Sequence, residues 1–91
     1  MSVEIRSTDS GYEAYLDGSR VGELEYAKTD HQVEVLRTEV ESQAEGRGVG
    51  SALVRAAVAD ARSNNWGIIA TCPFTASWFD RHPDEADVRV G

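Results

Sequence analysis

A glycine-rich segment between a strand-like run and a helix-like run constrains the fold of this chain more than any other feature. Residues 46–51 read Gly-Arg-Gly-Val-Gly-Ser. Residues 33–40 alternate like a β-strand, and an alanine-rich pattern with helical spacing follows the glycines at once. This order turns backbone N–H groups and a helix N-terminus toward an anion, and glycine allows a ligand to approach the backbone closely. The segment therefore predicts a site for a phosphate-bearing ligand.

The spacing of the glycines distinguishes between the common phosphate-binding loops. A dinucleotide-binding loop requires G-x-G-x-x-G, and after Gly46 and Gly48 its third glycine would fall on Ser51. A Walker A loop requires a Gly-Lys pair, which the sequence lacks. Both loops also lie near the start of their domains, whereas this chain begins with strand-like segments. Neither ligand class fits the pattern.

Alternating segments before the glycines predict an antiparallel meander of four strands. They cover about residues 3–6, 12–16, 20–27 and 32–40, and Asp17-Gly18 is typical of a hairpin turn. Unbroken alternation in the fourth strand predicts two faces, one with Val33, Val35, Arg37 and Glu39 and the other with Leu36, Thr38 and Val40.

The rest of the sequence predicts helices and one more strand. A long helix is expected from about Gly48 to Asn64, with Val49, Leu53, Ala56, Ala57 and Ala61 toward the sheet and Ser51, Arg55 and Arg62 toward solvent. A short strand over 67–71 and a short helix over 75–81 follow, and the acidic residues 84–91 predict a poorly ordered tail. The expected class is α+β, with a mixed, mainly antiparallel sheet of about five strands, one long helix after the glycine loop and a short C-terminal helix.

Length and charge narrow the class of protein. The 91 residues predict a single domain over 1–91. The net charge of -7 argues against nucleic acid and is compatible with a cationic acceptor such as an amine. No apolar run approaches the ~20 residues of a membrane span, and Met1-Ser2-Val3-Glu4 does not begin a secretory signal. Cys72 is the only cysteine, so we expect no intrachain disulfide and a cytoplasmic protein.

Several motifs in order resemble those of one superfamily. The segment Glu45-Gly46-Arg47-Gly48-Val49-Gly50 resembles the pyrophosphate loop of the GNAT N-acetyltransferases, [QR]-x-x-G-x-[GA], which follows the fourth strand and opens the main helix. Thr38-Glu39-Val40, Ala61-Arg62, Cys72-Pro73-Phe74 and Arg81-His82-Pro83 are similar to motifs of a short single-domain branch of that superfamily. Members of that branch are about as long as this chain, so the resemblance covers nearly all of it.

Two positions depart from the pattern of the superfamily. Glu45 stands where Gln or Arg is usual, and a carboxylate close to a pyrophosphate is unfavourable unless it points away. Gln43 satisfies the same spacing with Gly46 and Gly48, so two registers of the loop are open. Arg37 stands where the short branch commonly has a histidine, which removes one candidate base.

The resemblance implies acetyl-CoA as the co-substrate, in a cleft between splayed fourth and fifth strands. Its pantetheine would pair with backbone near Thr38 to Val40, and its pyrophosphate would bind N–H groups at the helix start. Arg47 is expected either to contact a phosphate or to face solvent. The predicted cofactor-binding residues are Thr38, Val40, Gly46, Arg47, Gly48, Val49, Gly50 and Ser51. No metal is expected, because His31, His82 and Cys72 lack ligand spacing.

Two residues are candidates for the chemistry. Cys72 follows the fifth strand, where the resemblance places the thioester; it would act as a nucleophile or as an acid to the leaving sulfur, or else be a small buried residue. Glu39 is a candidate base at the end of the fourth strand, or else a solvated strand residue. Phe74, Trp78 and Phe79 are expected in the core, with one of them able to line the cleft.

Three functions are compatible with this sequence. The leading hypothesis is a minimal acetyl-CoA-dependent N-acetyltransferase. The short connection at residues 7–11 predicts an open acceptor site, suited to a macromolecular amine or to completion by a second subunit of an oligomer. The alternative is a non-catalytic module that binds CoA or acyl-CoA, suggested by Glu45 and Arg37. The third is a structural α+β domain with an incidental glycine loop.

Overall fold

Residues 4–40 form the predicted meander. The structure is a computed structural model that describes residues 3–91, so residues 1 and 2 of the N-terminal segment considered above lie outside the described residues. Five strands form one sheet in the order β1-β2-β3-β4-β5. Neighbours are antiparallel except β4 and β5, which are parallel. The strands are β1 Glu4–Thr8, β2 Gly11–Leu16, β3 Ser19–Lys28, β4 Gln32–Val40 and β5 Gly67–Ala70.

Two α-helices complete the fold and confirm the expected α+β class. Helix α1 (Val49–Asn64) follows the glycine-rich segment, and helix α2 (Pro73–Arg81) follows β5. Short 3-10 helices lie before α1 (Ser42–Ala44) and after α2 (Pro83–Val88). Within residues 3–91, no helix is long and apolar enough to cross a membrane.

One face of the sheet packs against the helices and forms the core. The buried apolar residues of the strands include Tyr12, Ala14, Leu16, Leu24, Val33, Val35 and Ile68, and those of α1 are Val49, Leu53, Val54, Ala57, Val58 and Ala61. The prediction for α1 omitted Val54 and Val58 and included Ala56, which is only half-buried. The buried stripe is therefore wider than the predicted one, as a helix on a broad sheet requires.

The alternation of β4 is broken by one extra residue. Val35 lies opposite Tyr26 and Arg37 lies opposite Glu25, so Leu36 has no partner of its own on β3 in the described sheet. An extra residue of this kind is a β-bulge, which reverses the facing of every side chain beyond it.

The bulge makes the predicted faces of β4 wrong. Val33 is buried in the core, and beyond the bulge Thr38 and Val40 line a cleft on the helix side of the sheet. Arg37 and Glu39, predicted to share the face of Val33, lie instead on the open face. Arg37 and Glu39 have thus exchanged sides with Thr38 and Val40 relative to the prediction.

The open face of the sheet carries a network of ion pairs around Arg37. Its guanidinium lies 3.3 Å from Glu23, 3.1 Å from Glu25 and 3.2 Å from Glu39. All four side chains are partly or largely exposed, so each pair contributes little stability. The network nevertheless shows where the Glu39 carboxylate lies, which is on the face away from both helices.

The C-terminal segment differs from the expected poorly ordered tail. Residues 83–88 form a 3-10 helix, and Glu85 accepts a hydrogen bond of 2.8 Å from Arg62 on α1. The Val90 N–H then donates to the Ile68 carbonyl on β5 at 2.8 Å. Acidic composition suggested disorder, but here the acidic side chains pair with arginines of α1, and the final residues extend the sheet beside β5.

Replacing Tyr12 with phenylalanine is expected to destabilise the fold by about 1.5–3 kcal/mol, the scale of a hydrogen bond to a charged group. The buried Tyr12 hydroxyl donates to the Asp60 carboxylate of α1 at 2.5 Å. Burial, followed by the bond to Asp60, raises the pKa of Tyr12 above its ordinary value. The contribution of the hydroxyl should therefore be complete below about pH 10, where unfolded tyrosine titrates, and decline as the pH rises further.

Urea unfolding at neutral pH and above about pH 10 measures both effects. Tyr15→Phe is the matched control, because the Tyr15 hydroxyl bonds to Glu13 and not to a residue of α1. Equal losses in the two variants, or a Tyr12 loss that grows with pH, would contradict the prediction.

Candidate functional site

A cleft opens where β4 and β5 separate. The two strands pair only from Gln32 and Gly67 to Val35 and Ala70, and the Cys72 N–H then donates to the Val35 carbonyl at 2.9 Å. Beyond this point β4 continues to its end while the chain turns into α2. Because β5 does not follow β4 past this point, the backbone of residues 36–40 borders an opening.

The cleft has a volume of about 390 Å³ and lies between β4, the glycine loop and the start of both helices. It is lined by Thr38, Val40, Ala44, Glu45, Gly46, Gly48, Val49, Gly50, Ser51 and Phe74. This set contains every predicted cofactor-binding residue except Arg47, which is exposed and does not line the cleft. The roles of these residues remain predictions, but the fold brings the lining ones together.

Glycine is required at positions of the loop for two different structural reasons. Gly46 and Gly48 have φ angles of +81° and +79°, a conformation that side chains other than glycine rarely adopt. Gly50 lies inside α1 without a positive φ, but a Cβ atom there would be 2.6 Å from Cζ of Phe74. Gly46 and Gly48 therefore shape the backbone of the loop, whereas Gly50 lets the Phe74 ring lie against α1.

The structure distinguishes between the two registers of the loop. Glu45 lines the cleft, whereas Gln43 is exposed in the preceding 3-10 helix and does not. The position usually held by Gln or Arg is therefore best assigned to Glu45, so a carboxylate stands at the edge of the cleft beside the glycine loop.

Cys72 is buried immediately beside the cleft. It is the N-cap residue of α2 and is 4% exposed, and its Sγ atom lies 3.7 Å from Oγ1 of the cleft residue Thr38. Burial is the largest single influence and would raise the pKa of the thiol, but the surrounding N–H and hydroxyl groups of Thr75, Thr38 and the Phe74 backbone together outweigh burial and lower the pKa. The thiol thus lies at the inner end of the cleft with a pKa below its ordinary value.

Glu39 does not share that environment. Its carboxylate is paired with Arg37 on the open face of the sheet, and it borders a shallow hollow of about 240 Å³ with Arg20, Glu23 and Glu41. The β-bulge is the physical reason, since it places Thr38 and not Glu39 toward Cys72. An amine that uses Glu39 as a base would have to reach the carboxylate from the open face.

Ser51 is held by an aromatic residue, which the sequence did not predict. Its hydroxyl accepts a hydrogen bond of 2.8 Å from the indole N–H of Trp78, so Ser51 is not simply solvated. Trp78 is buried and stacks on His82, with ring centroids 4.2 Å apart. A buried tryptophan usually requires an acceptor for its N–H, and this requirement was the available signal. Of the aromatic cluster, only Phe74 lines the cleft.

Comparisons with known proteins agree with this geometry. The profile of a family described as GCN5-related N-acetyl-transferase matches residues 11–88. The solution NMR structure of a GCN5-like candidate N-acetyltransferase from Staphylococcus aureus is similar with a TM-score of 0.77 and 29% identity, over 97% of this chain and 88% of that chain. No match to a curated protein sequence was found.

Two longer solved structures share the fold. Ard1 from Thermoplasma volcanium is 25% identical with a TM-score of 0.63, over 82% of this chain and 54% of that chain. A ribosomal-protein-alanine N-acetyltransferase from Brucella melitensis biovar Abortus 2308 is 16% identical with a TM-score of 0.67, over 81% of this chain and 62% of that chain. This chain therefore spans less than two thirds of either protein.

The diverging parallel strands and the glycine loop at the start of α1 define a GNAT-like α+β domain. The chain belongs to the GCN5-related N-acetyltransferase family. Membership supports an acetyltransferase activity in general.

Proposed function

We propose that this protein transfers an acetyl group from acetyl-CoA to an amine. The observation that carries the proposal is the position of the cleft, which runs from the glycine loop to Thr38, beside the buried thiol of Cys72. A site of this shape offers backbone donors for a phosphate at one end and a nucleophilic or acidic group at the other.

The residues of the cleft suit CoA with one exception. Gly46 and Gly48 leave the loop backbone uncovered by side chains, so its N–H groups are available to a pyrophosphate near the positive end of α1. The edge of β4 at residues 36–40 supplies backbone groups for the amides of pantetheine. Glu45 is the exception, because its negative charge opposes that of the phosphates.

Two chemical roles are proposed for Cys72, and they differ in where the acyl group goes. As a nucleophile, the thiolate would attack the thioester carbonyl; a bond from Sγ to the acyl carbon forms, the bond to the CoA sulfur breaks, and CoA leaves as its thiolate. As an acid, the thiol would give its proton to the departing CoA sulfur while the amine attacks directly. Desolvation or a base such as Glu39 would free the amine of its own proton.

The proposed acceptor is a large or flexible amine. Strands β1 and β2 are joined by the turn at Asp9 and Ser10, so no helix covers the sheet there. This supports an open acceptor site, which a macromolecular amine or a second subunit would complete. We propose neither nucleic acid nor a membrane as partner, and a cytoplasmic location is supported by the single unpaired cysteine.

The alternative function is a CoA-binding module without efficient transfer. The position of Glu45 in the cleft wall favours it, because repulsion of the phosphates would weaken binding. Calorimetry with CoA and a turnover assay over amines separate the two functions. Binding with turnover is expected; binding without turnover of any amine would support the module, and absence of CoA binding would contradict both.

Replacing Glu45 with glutamine is expected to tighten CoA binding about fivefold, the effect of removing one charge repulsion of roughly 1 kcal/mol near the surface. The gain should shrink with added salt, because the interaction is screened. Calorimetric titration of CoA at two ionic strengths measures it. Glu41→Gln is the matched control, because Glu41 precedes the same loop without lining the cleft. An equal gain in both variants, or none in Glu45→Gln, would argue against a phosphate near Glu45.

A further inference from the structure

Thr75 carries a hydroxyl that is buried without a partner. The residue is completely inaccessible, and its Oγ1 atom is the one buried side-chain nitrogen or oxygen in residues 3–91 that makes no hydrogen bond. Leaving a buried hydroxyl unpaired is unfavourable, and native proteins rarely do so without a reason. A neighbouring group whose hydrogen-bonding capacity changes would supply such a reason.

The sulfur of Cys72 is the group that does so. Cys72 is the N-cap of α2 and Thr75 is the third residue of the helix, a spacing that places an N-cap side chain next to the N–H of that third residue, although the Cys72 sulfur makes no capping hydrogen bond. The backbone N–H and the side-chain hydroxyl of Thr75 both act on Sγ in the direction that favours its charged form.

The other elements around the sulfur contribute hydroxyl and N–H groups too. Thr38 on β4 lies 3.7 Å from Sγ, and the Phe74 backbone acts from α2. The largest influences on the thiol include no charged side chain. The carboxylates of the adjoining strand are engaged elsewhere, Glu34 with the Thr71 hydroxyl and Glu39 with Arg37 on the open face.

Hydrogen-bond counting then separates the two protonation states of Cys72. A thiol has one hydrogen to donate, which the Thr38 oxygen takes in this structure, and its neutral sulfur is only a weak acceptor. A thiolate has no hydrogen and accepts several strong bonds, so the hydroxyls of both Thr38 and Thr75 can donate to it. The strong acceptor that Thr75 lacks beside the thiol is present beside the thiolate.

We propose that Thr75 is a positioning residue whose buried hydroxyl stabilises the thiolate of Cys72. In the ionisation the Sγ–H bond breaks, the electron pair stays on sulfur, the proton passes to water, and the Thr75 hydroxyl turns to donate to Sγ. This deepens the proposed function and rests on it in one respect: a site that favours the thiolate selects the nucleophilic role of Cys72 over the role of proton donor.

The test is an ultraviolet titration of the thiolate in the intact protein, with Cys72→Ala as the blank. The assignment is unambiguous because the chain has a single cysteine. Thr75→Val keeps the shape of the side chain and removes the hydroxyl, and it is expected to raise the titration midpoint by about one pH unit. Thr75→Ser should restore the midpoint, and Ser77→Ala, on the exposed side of α2, should leave it unchanged. Thr75→Ala replaces the valine variant if that one does not fold.

Thermal unfolding supplies a second readout that a purely structural threonine would not give. At a pH below the measured titration midpoint, where the thiol is protonated, Thr75→Val removes an unpaired hydroxyl and should raise Tm by about 4 °C. This advantage should shrink as the pH rises through the thiol titration, because the wild type then gains the bond.

The outcomes distinguish this inference from the proposed function. An unchanged midpoint in Thr75→Val overturns the role of Thr75, even if acetyl transfer is observed. A raised midpoint together with rescue by Thr75→Ser supports it, even if no amine is acetylated, in which case only the proposed function fails.

Discussion

Replacing Cys72 with alanine is expected to lower the rate of amine acetylation at least 100-fold, the usual scale for loss of a nucleophile or a general acid. CoA affinity should change less than about threefold, because Cys72 lies beside the cleft without lining it. Steady-state turnover and calorimetry on the same preparations measure the two quantities. The combination, a lost rate with retained binding, locates the effect in the chemical step.

Ser77→Ala on the exposed side of α2 is the matched control and should retain full turnover. Intact-protein mass spectrometry after mixing with acetyl-CoA and no amine then distinguishes the two roles of Cys72. A single added acetyl group, absent in Cys72→Ala, indicates the nucleophile; transfer without such an adduct indicates the acid. Full turnover in Cys72→Ala would show that the thiol is only a packed residue.

Replacing Gly48 with valine is expected to weaken CoA binding by about 5–30-fold, because the loop donors that it displaces are worth about 1–2 kcal/mol. Gly48 is the N-cap of α1 with φ +79°, and it lines the cleft at the glycine loop. A β-branched residue avoids this conformation, so the loop should shift its N–H groups away from the ligand.

Gly18→Val separates the effect on binding from the effect of strain. Gly18 has φ +84° in the turn between β2 and β3, and a Cβ there also meets no atom within 4 Å. Both variants should lose similar stability in urea unfolding, but only Gly48→Val should lose CoA affinity in calorimetry. Equal affinities in the two variants would contradict a role of the loop in binding phosphate.

Local sequence patterns predicted the strands and helices of this fold well, because these elements depend mainly on residues that are close together in the chain. The apolar repeat after Gly48 gave α1 nearly to the residue, and the glycine spacing placed most of the cleft lining. The sequence did not reveal the bulge at Leu36, because a bulge depends on how β4 pairs with β3, a strand that is not adjacent to it at that point in the sequence. Continuous alternation in the sequence carries no mark of the residue at which the pairing slips.

Contacts between distant elements account for the remaining differences. The fit of Phe74 against Gly50 and the bond from Trp78 to Ser51 join α2 to the start of α1, across more than twenty residues of chain. The C-terminal segment is ordered by Arg62 and by β5, neither of which its own acidic composition reveals. The motif predicted Gly50 as a cofactor-binding residue. The structure shows a separate reason for glycine at this position, which is the Phe74 ring packed against the helix.

The bulge at Leu36 also sets a rule for the divergence of related sequences. A relative that lacks this one residue would pair β4 with β3 regularly and would still hold Arg37 and Glu39 on the open face and Thr38 on the helix side. The extra residue thus changes the length of the strand without changing the face on which its outer side chains lie. When such relatives are aligned with no gap at Leu36, each position beyond it would therefore equate side chains on opposite faces of the sheet.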